Sequence, residues 1–210
     1  MKKILWLGGV SVIISYGFLL LPTFCRIDPA LAPRTEALSN IRQVGLCLFD
    51  FEIEYGRFPD STTIPAVQAA TGSTLDLGNS SSNDLFRQLL ATSAKSETIF
   101  WTKAPNQPKK PNDIFGSDAL VAGECVFTYI TGLTSKSHPD APILMTPVIH
   151  GTWKFDPKPF KGHAVVFFTN VSAMPLPIDK NGDVILNGMN LFDPRQPFWR
   201  GKAPDIKYPE

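Results

Sequence analysis

The stretch SNIRQVGLCLFDFEIEYGRFP, Ser39 to Pro59, carries apolar residues at helical spacing and then stops abruptly. From Arg34 onward, Ala37, Ile41, Val44, Leu48, Phe51 and Tyr55 follow at steps of three and four, the stripe of a helix lying on a core. Leu46, Phe49 and Ile53 add a second apolar flank, which predicts burial on more than one side. Arg42, Gln43, Asp50, Glu52 and Glu54 keep the remainder wet. Gly56 supplies a stop and Pro59 forbids continuation. A helix with so broad an apolar surface needs something wide and flat to lie on, and a sheet meets that need.

Upstream lies the most apolar part of the chain. After Lys2 and Lys3, the eighteen residues Ile4 to Leu21 carry no charge. As a helix they would span about 27 Å, close to the hydrocarbon thickness of a bilayer. The lysines hold the N-terminus on the cytoplasmic side and send the rest outside. Residues 1–22 are therefore expected to be a transmembrane anchor, 23–33 a proline-containing linker, and 34–210 a single α+β domain. Cleavage after Ala32, at Ala30-Leu31-Ala32, is the competing expectation, but a long spacer separates it from the apolar run.

Downstream, STTIPAVQAATG predicts a short helix started by Pro65 and stopped by Gly72, and SSNDLFRQLLATSAK predicts another capped by Ser82 or Asn83. Residues 101–123 read as loop. ECVFTYITG, PILMTPVI, HAVVFFTN, SAMPLPI and DVILNG then read as strands, with the proline-flanked PILMTPVI placed at an edge. The tail FDPRQPFWRGKAPDIKYPE is expected to lie extended on the surface. Helices first and strands last make an α+β domain with an antiparallel sheet.

Net charge is +1, and without Lys2 and Lys3 there are 18 basic residues against 19 acidic ones. That balance offers no footprint for nucleic acid. Outside the membrane, Cys47 and Cys125 are the pair within the folded domain, either a disulfide or two buried thiols.

The residues ALSNIRQVGLCLFDFEIEYGRFPD, set behind an apolar segment ending at Pro22, resemble the bacterial type II secretion pseudopilins and type IV pilin-like proteins. That family carries an Asn-x-x-Gln-x-Gly-x-x-Leu helix ending in Tyr-x-x-x-Pro, matched by Asn40, Gln43, Gly45, Leu48, Tyr55 and Pro59. NDLFRQLLATSAKSETIFW, VFTYITGL and GHAVVFFTNVSAMPL are similar to the pilin-like proteins of planctomycetes and verrucomicrobia. The resemblance implies a pilin-like fold, in which a long helix crosses an antiparallel sheet and its outer half anchors in the inner membrane. It also implies a non-enzymatic structural or assembly role, with self-association or pilin-like partner subunits. Where the family has an aromatic residue and a glutamate after its processed glycine, Gly9 is followed by Val10-Ser11-Val12-Ile13-Ile14. A permanently anchored protein with its C-terminal domain in the periplasm is expected.

Three sets of residues stand as candidate sites. Asp179, Asn181 and Asp183 alternate oxygen side chains in the manner of a calcium loop, and the resemblance to major pseudopilins favours that ion; the competing and preferred reading is a hairpin turn at Asn-Gly. Trp153 and Trp199, with Trp101 and Phe198, lie in proline-rich stretches. They would either bind glycan or protein ligands, as in an anchored binding module, or cap the sheet's core. His138, His150 and His163 lack zinc spacing, and no nucleophile elbow or phosphate loop is present.

Overall fold

Ala32–Tyr55 form one helix of 24 residues (α1), and the apolar stripe is what it buries: Ala37, Ile41, Val44, Leu48 and Phe51 are inaccessible to solvent or nearly so. The structure is a computed structural model that describes residues 31–103 and 109–210. The expected anchor over residues 4–21 and most of the linker lie outside the described residues. Among the described residues, no helix is long and apolar enough to cross a membrane. Gly56 ends α1 in the left-handed region, at φ +78°, where its N–H still reaches Glu52 O at 2.7 Å.

Ile64–Thr71 (α2) begins with a proline in its first turn and ends at Gly72, φ +58°. Ser82–Thr92 (α3) is capped by Ser81, whose Oγ accepts from the Asp84 N–H at 3.1 Å. The cap falls one residue before the predicted Ser82 or Asn83, because both of those are buried inside the helix with other contacts to make. A 3-10 turn, Glu97–Phe100, follows.

Strands β1 (Thr128–Thr131), β2 (Pro142–Met145), β3 (His163–Phe168) and β4 (Ala173–Pro177) form an antiparallel meander. Two short strands, β5 (Ile185–Leu186) and β6 (Met189–Asn190), make a separate hairpin. The last strand, β7 (Asp205–Lys207), pairs antiparallel with β1, so the sheet runs β4-β3-β2-β1-β7. Two expectations are corrected here. PILMTPVI is a central strand, since Pro142 stands at its first residue, where a missing N–H does least harm. The tail is not merely extended on the surface: it supplies an edge strand.

The sheet is covered on both faces. Phe127, Tyr129, Val165 and Phe167 face a core shared with α1, α3 and the 3-10 turn. Ile130, Met145, Ala164, Val166 and Phe168 face a second core closed by Phe155, Leu191, Phe192, Phe198 and Trp199. Burial on two faces explains why β3 reads HAVVFF, a continuous apolar run rather than an alternation. The register slip between Pro142 and Leu144 lets both Ile143 and Leu144 join the helix-side core.

Candidate functional site on the core helix

The motif residues of α1 all turn out to seat it. Asn40 Nδ2 donates to the carbonyls of Trp101 (2.7 Å) and Thr98 (3.3 Å), and Gln43 Nε2 donates to Asn40 Oδ1 at 3.3 Å, which orients the amide. Gly45 is a point of close approach between helix and sheet: a Cβ there would fall 2.3 Å from Cζ of Phe167. Leu48 is fully buried, and the Tyr55 ring stacks on Phe51 with centroids 4.4 Å apart. Pro59 offers its carbonyl to the buried Tyr129 Oη at 3.0 Å, and burial pushes that phenol well above its usual range. At the ends, Arg34 Nη1 lies 3.0 Å from His163 Nδ1 and the Glu52 carboxylate accepts the Ser135 N–H (3.0 Å).

The predicted second flank is not buried. Leu46 is 55% and Ile53 84% exposed, while Phe49 alone turns inward, edge-on to Phe58 at 5.2 Å. Helical spacing could not tell these apart, since a sheet covers only one side of a helix that crosses it. Between α1 and the Thr98–Lys103 loop lies a cleft of about 730 Å³, lined by Glu36, Asn40, Gln43, Trp101 and Lys110.

Asp179, Asn181 and Asp183 form a hairpin turn. Asp179 Oδ1 accepts the N–H groups of Asn181 (2.8 Å) and Asp183 (2.9 Å), and Asp183 Oδ1 accepts from Asn190 Nδ2 (3.1 Å). Gly182 sits at φ +85°, and Ile178 bridges Val184 across the turn. The oxygens a calcium ion would need are thus turned to backbone and amide donors, which holds Asp179 below the usual carboxylate range. Among the described residues no three His, Cys, Asp or Glu side chains are grouped to hold a metal.

Cys47 and Cys125 are both free thiols, not a disulfide. Cys47 is half-buried on α1, whereas Cys125 Sγ faces Ser82 Oγ (3.9 Å) and Phe127 O (3.7 Å). Burial pushes the Cys125 thiol up to about 12, so it is an inert core group. Trp199 is 6% exposed and donates Nε1–H to Leu191 O at 2.8 Å; it is a core residue and not a ligand platform. Trp153 is 41% exposed and stands apart from that core. No hydrogen bond links a histidine to a serine or cysteine among the described residues; His138 Nδ1 accepts from the Asp140 N–H and His150 lies against Tyr208.

Sequence reasoning missed a clasp of buried polar groups. Glu97 and Glu124, both 0% exposed, take successive N–H groups: Leu120 N to Glu97 Oε1 (2.7 Å) and Val121 N to Glu124 Oε2 (3.0 Å). From the other side, Arg87 and Asn83 bind the carbonyls of Ala119, Leu120 and Val121. Leu120 is held at φ +48° by this grip. Lys109 Nζ lies 2.8 Å from Glu124 Oε1, an ion-pair contact rather than an aligned hydrogen bond, and Glu97 Oε2 has no partner. Isolated acids in loop-like sequence give no hint of this. No family model matches the chain, and neither a curated protein nor a solved structure matches it.

Proposed function

We propose that this is a non-enzymatic, pilin-like envelope protein. Its N-terminal segment anchors it in a bacterial inner membrane and its folded domain faces the periplasm. Its role is structural or assembly-related, within a type II secretion or type IV pilus-related system. The observation that supports this reading is the seating of α1. The six family-like positions, from Asn40 to Pro59, serve to lay a long helix across an antiparallel sheet, with Gly45 lying close against Phe167. The helix begins one residue after Leu31, a short linker away from the apolar segment 4–21, so helix and anchor are close neighbours in the chain. Burial of Trp199 weakens the alternative of a binding module with paired loop aromatics.

The test is the intact mass and N-terminus of the protein from native membranes, combined with fractionation and crosslinking along α1. A chain starting at Met1, released only by detergent and crosslinking to itself or to pilin-like subunits, is expected. Recovery in the soluble periplasmic fraction, starting after Ala32, would overturn the anchored reading. A start at Val10 would mean processing as a filament subunit.

A further inference from the structure

The loop after β1 and the Phe198–Arg200 segment enclose a cleft of about 220 Å³. Its lining includes Lys136, Ser137, His138 and Arg200, with Leu133 and Phe198 as the apolar wall. We infer that this cleft binds a small tetrahedral oxyanion, a phosphate or sulfate group.

Four residues with donor side chains line the cleft and no carboxylate does. Among the described residues, neither the Lys136 ammonium nor the Arg200 guanidinium takes part in an ion pair. The acid on the loop itself, Asp140, does not line the cleft, and Glu52 of α1 is already spent on the Ser135 N–H, with both oxygens at 3.0 Å. His138 Nδ1 accepts from the Asp140 N–H at 3.2 Å, which assigns the proton of the neutral ring to Nε2 and makes that atom a donor. The ring is steadied beside Phe198, centroids 6.2 Å apart. Ser137 Oγ accepts from the Thr134 N–H at 3.0 Å, which leaves its own proton to give.

The backbone carries a second sign. Arg200 stands at φ +51°, a conformation that costs a non-glycine residue energy and recurs at ligand clamps. A planar carboxylate has two oxygens for these donors, whereas phosphate or sulfate offers three or four in different directions, and Arg binds such groups through a fork. Leu133 and Phe198 would pack against the carbon stem of an ester.

The experiment is a titration of the full chain in detergent micelles. It follows amide shifts of Ser137, His138 and Arg200 with inorganic phosphate, inorganic sulfate and glucose 6-phosphate. Saturable shifts confined to the cleft are expected. Arg200→Gly, which suits the positive φ and so spares the fold, and Lys136→Gln should each weaken binding roughly tenfold or more. Tighter binding of glucose 6-phosphate than of phosphate assigns an ester-bearing ligand; equal affinity assigns the free ion. Equal shifts with sodium chloride at matched ionic strength, or no loss in either variant with its thermal midpoint preserved, would overturn the inference.

Discussion

At position 45 the absence of a side chain decides how near the helix can come to the sheet. A methyl group there would lie 2.3 to 2.6 Å from three atoms of the Phe167 ring, and that ring is itself locked in the core. Gly45→Ala should therefore destabilise the domain by about 1–3 kcal/mol, although alanine is the better helix former. Pairing it with Phe167→Leu should recover part of the loss, and the non-additivity in a double-mutant cycle of urea melts is the measurement. The neighbouring exposed sites, Leu46 and Ile53, behave differently: with no packing to lose, polar substitutions there fall within about 0.5 kcal/mol of neutral. The sequence placed all three residues on one helix but could not say which side the sheet would take.

Among elements, legibility followed periodicity. The stripe of α1, the Pro65 and Gly72 limits of α2 and the apolar runs of β1 to β4 were readable because each rests on local spacing or a local backbone constraint. β7 was not, since DIK is three residues in a proline-rich tail and gains its place only by pairing with distant β1. The same tail folds Phe198 and Trp199 into the second core, and nothing local distinguishes Trp199 from Trp153. The two should separate sharply on truncation. Trp199→Ala is expected to cost about 3–5 kcal/mol, through its cavity and the lost bond to Leu191 O, while Trp153→Ala costs under about 0.5. Chemical denaturation of both variants checks this, and comparable losses would mean Trp153 is packed as well.

For the molecule as a whole, the clasp makes stability depend on pH in an unusual direction. Burial, with repulsion from Glu124 and Asp113, raises the Glu97 carboxyl above its ordinary 4.5, against the bond from Leu120 N–H. The folded chain then keeps this proton to higher pH than the unfolded chain does. Its contribution is fully present below the ordinary value and is lost as pH rises through the folded one. Asp193 has the opposite sense: Arg195 holds it at about 2, so its contribution is lost as pH falls below the ordinary 3.8. The domain should be most stable under mildly acidic conditions. Glu97→Gln should raise stability at neutral pH by about 1 kcal/mol and flatten the decline that sets in as pH rises above the ordinary 4.5. Thermal midpoints across that decline test it, and an unchanged slope in the variant would exclude Glu97 as the source. The two borders of the sheet set a different kind of limit. At the two ends of β4, Ser172 O and Ile178 N point inward to Phe168 N and Gly162 O, and the Ala173 carbonyl points outward to Arg42. Pro175 and Pro177 therefore present carbonyls but no N–H on the free border, while β7 is three residues long and carries Asp205 and Lys207. Both borders are thus poor templates for a further strand, so copies of this domain that meet are expected to do so through side chains and not by extending one another's sheet.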